Sequence, residues 1–224
     1  MIAQKIQQIF HKVPDVIYGY TDISYSSYSK SYKRALVFAV PYEEQLTLDN
    51  YTEERFEKSI INAKSKLENI LDKIENILKE DNVKYYVPPV AQENEEDLLA
   101  EFSFKYAAVN AGLGWIGKND VLITEKYGPR VRLSVVLIDY PFETGTRITE
   151  SRCASCNKCV DICPYNAIKG KNWNMKLLRD ELIDYHLCNK QRSKYIESHG
   201  RKNACGLCMI VCPYGINENT SITE

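Results

Sequence analysis

Apolar positions recur with two different periods along the chain, and those periods divide it into elements. Ile2, Ile6, Ile9 and Phe10 share one face of a helix over residues 2–12. Val16 to Tyr20 reads as a short strand. Arg34 to Val40 is a near-continuous apolar run closed by Pro41, the pattern of a strand buried on both faces. From residue 53 to 79, Phe56, Ile60, Ala63, Leu67, Ile70, Ile74 and Ile77 recur at alternating spacings of four and three, and Leu71 and Leu78 widen the stripe. So wide a stripe predicts a long helix packed on a sheet. Val83 to Val87 is a strand stopped by Pro88-Pro89. Residues 94–111 read as a helix capped by Asn94, with acids in its first turn and Gly112 just past its end. Val121 to Thr124 and Arg130 to Asp139 flank Lys126-Tyr127-Gly128-Pro129 and predict a β-hairpin. The sum is an α+β arrangement with a sheet of about four or five strands.

Composition narrows the possibilities. A chain of 224 residues accommodates one domain or two. All eight cysteines lie between Cys153 and Cys212, and the polar stretch from Glu143 to Arg152 reads as a linker. The expected division is therefore 1–145, with a core of its own, and 146–224, carrying the cysteines. A net charge of −1 gives no global field to attract nucleic acid or membrane. No apolar run approaches the length of a membrane span. Tyr25-Ser26-Ser27-Tyr28-Ser29-Lys30-Ser31-Tyr32 is the one biased segment and reads as a solvent loop.

The cysteines carry the chemistry. They read Cys153-x2-Cys156-x2-Cys159-x3-Cys163-Pro164, then Cys188, then Cys205-x2-Cys208-x3-Cys212-Pro213. The first run has the spacing that holds [4Fe–4S] clusters in bacterial ferredoxins, where the cysteine before proline serves the other cluster. On that logic Cys153, Cys156, Cys159 and Cys212 hold one cluster, and Cys163, Cys188, Cys205 and Cys208 the other. The second run lacks its leading cysteine, Lys202 standing in its place, and Cys188 completes the set. Two zinc sites would use the same number of thiolates, but zinc knuckles favour paired Cys-x2-Cys without the third and the proline-backed fourth. Met1 to Lys5 lead straight into an amphipathic helix with no apolar leader, so reduced thiols in the cytoplasm are expected.

A second motif is Ala111-Gly112-Leu113-Gly114-Trp115-Ile116-Gly117-Lys118-Asn119. It contains Gly-x-Gly-x-x-Gly but follows a helix and precedes a strand, the reverse of a dinucleotide-binding turn. The Rossmann reading is rejected.

Taken together, this glycine motif, Tyr127-Gly128-Pro129-Arg130, Cys163-Pro164-Tyr165-Asn166-Ala167-Ile168, the lone Cys188 and Cys205-Gly206-Leu207-Cys208-Met209-Ile210-Val211-Cys212-Pro213-Tyr214 resemble the epoxyqueuosine reductase family. Reductive dehalogenases are similar in plan. The resemblance implies a nitroreductase-like α/β N-terminal domain that binds cobalamin, fused to a ferredoxin-like double [4Fe–4S] domain. It implies single electrons passing from the clusters to cobalt for reduction of an unknown substrate. Gly112, Gly114, Trp115, Gly117 and Lys118 become the candidate cofactor-binding residues, and flavin is the alternative cofactor. A ferredoxin or flavodoxin is the expected electron donor. Where the family carries a proton-donating carboxylate, an ungapped count lands on Leu98, and Glu96, Asp97 and Glu101 read as a solvated helix face. No catalytic residue is therefore assigned.

Lys190, Arg192, Lys194, Arg201 and Lys202 cluster between Cys188 and Cys205, with Tyr195 and His199 among them and Glu197 opposing. Such a patch could meet tRNA phosphates, but a charged loop over the cluster is the simpler reading. His186 and His199 are too sparse for a metal site of their own. Two functions compete: a reductase with a second cofactor, and an electron-transfer protein without substrate chemistry.

Overall fold

A computed structural model describes residues 1–90, 98, 100–191 and 205–216. Its centre is a four-stranded antiparallel sheet, built from β1 (Ile17–Asp22), β2 (Arg34–Pro41), β6 (Val131–Ile138) and β3 (Tyr85–Tyr86) in the order β1-β2-β6-β3. β2 is interior and pairs along its whole length with β6, from Arg34 opposite Ile138 to Pro41 opposite Val131.

The consecutive apolar residues of β2 are explained by burial on both faces. Leu36, Phe38 and Val40 join Val136 and Ile138 under α1 (Ile2–His11) and α2 (Glu53–Glu80). Ala35 and Val37 join Val135 and Leu137 on the opposite face, against α3 (Phe104–Asn110), Trp115 and the cysteine-bearing segment. Leu36 and Phe38 are fully buried, worth roughly 2–3 kcal/mol each. α2 starts where Thr52 accepts from the Arg55 amide, and Glu53 and Glu54 face the positive end of the helix dipole. Its buried stripe runs through Phe56, Ile60, Ala63, Leu67, Ile70 and Ile74 to Leu78; Ile77 is only half-buried.

Three expectations change. The helix expected over 94–111 is described only over Phe104–Asn110; Asn94 lies outside the described residues. Ser103 is the cap, its hydroxyl accepting from the Tyr106 amide, and Leu98 has φ +49°, which no right-handed helix contains. The expected hairpin does not form. β5 (Leu122–Ile123) instead pairs with β4 (Trp115–Ile116) in a separate two-stranded sheet. Thr124 and Gly128 exchange backbone hydrogen bonds and close a tight loop, and Pro129 follows without an amide, so pairing toward β6 cannot propagate.

The tyrosine-rich segment is more than a solvent loop: Ser27–Lys30 forms a 3₁₀ turn, and Tyr28 and Tyr32 stack on Tyr86. Two backbone hydrogen bonds tie the polar stretch near 143–152 to β1 and α3. The Gly145 amide donates to the Tyr20 carbonyl, and the Ile148 amide to that of Val109.

The cysteine-bearing segment holds short helices: α4 (Lys158–Asp161), α5 (Arg179–Leu182), α6 over residues 185–191, and α7 (Leu207–Ile210). Ala167, Ile168, Trp173, Leu182 and Ile183 merge into the core beneath β2 and β6. Among the described residues no helix is long and apolar enough to cross a membrane.

Candidate metal centre and adjoining cavity

The two cysteine runs fold as tight turns. Ser151 accepts from the Cys153 amide, the Cys156 amide donates to the Cys153 carbonyl, and Ala154 adopts φ +47° to permit it. α4 then carries Cys159, and the Cys163 amide donates to the Val160 carbonyl just before Pro164 turns the chain away. Asp184 caps α6 through the Leu187 amide and so delivers Cys188.

These turns produce two groups. Cys153, Cys156, Cys159 and Cys212 line one small enclosed cavity together with Lys118, Asn119 and Tyr214. Cys208 has Cys205, Cys188 and Cys163 as electrostatic neighbours, and Cys159 of the first group as well. Tyr165 sits beside Cys205, Cys163 and Cys188. The groups are therefore adjacent, with thiols of each facing the other.

Burial, and secondarily the neighbouring cysteines, push the Cys159 thiol up to about 12 and raise Cys208 too. Burial also raises Cys212, opposed by the Tyr214 amide and by Arg130. Sites that disfavour thiolates need a cationic centre to hold them ionised. No disulfide joins any of the eight. Among the described residues no group of three or more His, Cys, Asp or Glu is placed to hold a single metal ion. A cubane instead spreads its thiolates over four iron corners.

The glycine motif locks this segment to the sheet. Gly112 has φ +77°, and a Cβ there would lie 2.6 Å from the Thr146 carbonyl oxygen; at Gly114 it would lie 2.1 Å from that of Ile123. The backbone thus passes so close that only glycine fits. Trp115 is fully buried and meets Tyr214 edge-on at 4.8 Å. Lys118 Nζ donates to Asn157 Oδ1 at 2.8 Å, inside the loop between Cys156 and Cys159. Asn119 Nδ2 donates to the Cys208 carbonyl at 3.0 Å. Asn119 and Arg130 were not singled out from the sequence; the signal was their place in the two quoted motifs.

A cavity of about 580 Å³ lies between the sheet and the cysteine-bearing segment. Its walls include Phe56, Phe102, Phe104, Ile116, Leu122, Leu133, Trp173 and Met209, with Lys105, Asp120, Arg132 and Arg179 as charged lining. Ile116, Asp120, Val121 and Leu122 bring the glycine stretch to this wall, whereas Gly112, Gly114, Trp115, Gly117 and Lys118 do not line it. Asp120 holds two cations at once: Lys105 Nζ at 2.7 Å and Arg179 Nε at 3.1 Å. Although 31% of its side chain is exposed, desolvation pushes the Lys105 ammonium down, with Asp120 pulling it back up. Arg179 also anchors the Leu98 carbonyl and lies over the Tyr185 ring. Sequence reasoning missed this triad. Leu98, where an acid was sought, is buried, and Glu101 is exposed, accepting among the described residues a long bond from the Tyr86 hydroxyl. Glu96, Asp97 and the basic stretch from Arg192 to Lys202, with Tyr195, Glu197 and His199, lie outside the described residues.

Two adjacent sets of four thiols match a family model described as a 4Fe-4S double cluster binding domain, which covers residues 152–215. The chain is thus an iron–sulfur protein with a double-cluster domain. In sequence it is similar to epoxyqueuosine reductases. It is 36% identical over 131 residues to the epoxyqueuosine reductase of Listeria monocytogenes, an alignment covering 57% of this chain and 33% of that one. In structure it resembles an epoxyqueuosine reductase solved with an epoxyqueuosine-modified tRNA stem loop: TM-score 0.62 at 18% identity, over 96% of this chain and 64% of that one. It also resembles a reductive dehalogenase whose description names B12-dependent dehalogenation: TM-score 0.71 at 18% identity, over 95% of this chain and 31% of that one. The chain spans about a third of the length of the curated relatives it matches.

Proposed function

We propose that this chain is an iron–sulfur oxidoreductase that delivers single electrons to a second cofactor in the 580 Å³ cavity, for reduction of a substrate. Cys153, Cys156, Cys159 and Cys212 hold one [4Fe–4S] cluster; Cys163, Cys188, Cys205 and Cys208 hold the other. The observation that carries the reading is Met209. It follows Cys208 directly and lines the cavity, so the wall of the larger site adjoins the second thiol group.

The cavity's size suits a small-molecule site. Its chemistry suits a corrinoid, whose flat macrocycle packs on apolar walls while its amides and phosphate find charged donors. Lys105, Arg132 and Arg179 supply such donors among aromatic and aliphatic side chains. The B12-dependent neighbour supports a corrinoid over a flavin, and with it a nitroreductase-like character for residues 1–145, leaving 146–224 as the cluster-bearing part. When bound, the corrinoid supplies a metal centre that changes oxidation state in single-electron steps. The chain's apolar residues line one side of it, and Met209 brings the second thiol group alongside. Gly112, Gly114, Trp115, Gly117 and Lys118 serve the cofactors from behind the cavity wall, by fixing the chain that supplies Ile116 and Asp120 to Leu122. A ferredoxin or flavodoxin supplies the electrons. A tRNA stem loop bound by one structural neighbour makes modified tRNA one candidate substrate class, while the basic stretch after Cys188 reads more simply as a charged loop.

One observation favours a second reading, electron transfer without substrate chemistry. Leu98, buried and apolar, stands where a proton-donating acid is sought. Anaerobically purified protein separates the two. About eight iron atoms per chain with a corrinoid released on denaturation are expected. About eight iron atoms with neither corrinoid nor flavin, before or after incubation with cobalamin, leave the electron-transfer reading standing instead.

A further inference from the structure

Lys118 is 4% exposed, yet none of the ion pairs formed among the described residues includes it. An ammonium carries three N–H donors. One goes to Asn157 Oδ1 at 2.8 Å, and Asn157 carries no charge. A buried cation without a counter-ion is strongly disfavoured, so a negative group belongs within its reach. The groups that share its cavity are Cys153, Cys156, Cys159 and Cys212. Four thiolates around a cubane leave that centre with net negative charge, which meets the requirement.

Resting on the cluster assignment above, we propose that Lys118 sets the reduction potential of the cluster held by Cys153, Cys156, Cys159 and Cys212. One-electron reduction adds one negative charge and transfers no atom. A buried positive charge beside the site favours the reduced form, and charge and hydrogen bonds to sulfur are the levers that tune such potentials. Lys158 lines the same cavity but is exposed, where solvent and salt screen it. Arg130 is also buried near Cys212, but its guanidinium serves three carbonyl oxygens, those of Met209, Cys212 and Tyr214. Lys118 alone among these three is both buried and part of the lining of the cavity that the four thiols share. The close backbone approach at Gly114 fixes the turn that carries it there.

The test is a dithionite redox titration of anaerobic holoprotein, followed by EPR, comparing wild type with Lys118→Met, Lys118→Gln and Lys118→Arg. In the Met and Gln variants one of the two midpoints should fall, lowering the reduced-to-oxidised ratio of that cluster at fixed potential by about tenfold or more (~59 mV per tenfold for one electron). The other midpoint should stay put, and Lys118→Arg should restore most of the shift. Gln keeps N–H donors without the charge, so a Gln variant that behaves as wild type overturns a charge effect. Unmoved midpoints at full iron content, or equal movement of both, overturn the proposal. So does loss of one cluster from both neutral variants, which would make Lys118 a requirement for assembly. Wild-type protein lacking two clusters' worth of iron would instead sink the cluster assignment itself, a different result read from the same samples.

Discussion

Arg130 and Cys212, 82 positions apart in sequence, are joined by a 3.1 Å hydrogen bond from guanidinium to carbonyl. The same guanidinium donates to the Met209 carbonyl at 3.0 Å and to that of Tyr214. One side chain, placed just before β6, therefore holds the turn that presents the last cysteine. Arg130→Met would leave the Cys212 and Tyr214 carbonyls without this donor, while the Met209 carbonyl keeps the Cys212 amide, at about 1–3 kcal/mol for each buried group that finds no water. A thermal melt of anaerobic protein should show a clear loss of stability, and iron content should fall. An unchanged melting temperature would mean that water replaces the guanidinium.

Cys188 reaches the second group from α6, well apart in sequence from Cys205. Cys188→Ser should cost one cluster and spare the other, so iron and sulfide should fall to about half of the eight-iron value. Full iron content would remove Cys188 from the ligand set and require a different fourth partner for Cys163, Cys205 and Cys208.

Gly114→Ala would drive a Cβ to 2.1 Å from the Ile123 carbonyl oxygen, across the β4–β5 pair. Backbone cannot yield cheaply there, and overpacking of this kind costs typically about 1–3 kcal/mol or more. The expected result is a lowered melting temperature together with poorer cluster incorporation, because the following residues carry Lys118 and Asn119. Ala at this position with wild-type stability would show that the two short strands separate freely.

The Lys105–Asp120–Arg179 triad gives a pH dependence with a definite sign. Desolvation lowers the Lys105 pKa from its ordinary 10.5, so the folded chain holds that proton less tightly than the unfolded chain. Between the lowered value and 10.5 the unfolded chain binds more protons, and this group's contribution makes stability rise with pH. Lys105→Met should flatten that rise. Asp120→Asn removes the carboxylate that favours the ammonium and should steepen it. Melting temperatures of holoprotein across the alkaline range check both; the same slope in all three proteins would place Lys105 in solvent.

Much of this was legible in the residues themselves, for identifiable reasons. The run from Leu36 to Val40 announces an interior strand because both faces of β2 are dry. The α2 stripe is legible because many turns repeat it. The turns that carry Cys153 to Cys163 and Cys205 to Cys212 are legible from spacing, since a tight loop and a proline act within a few residues of those thiols, whereas nothing local marks Cys188. The pairing of β4 with β5 was hidden, because two-residue strands have no period to read. Ser103 caps α3 through a local hydrogen bond that composition does not reveal. Lys105 and Arg179 meet Asp120 from 15 and 59 positions away, and nothing local marks either as its partner.

The contact between Arg130 and the tail of the last cysteine run also bears on how such a chain can be rearranged. A cut near residue 145 looks clean along the sequence, but it would leave Arg130, Lys118 and Asn119 on one piece and the groups they grip on the other. The cysteine-bearing segment is therefore not a cassette to be transplanted onto another scaffold. A chimera that keeps its cysteines while exchanging the sheet must import the turns ahead of β5 and β6 as well. Otherwise it inherits a cluster ligand set without the clamps that hold it closed.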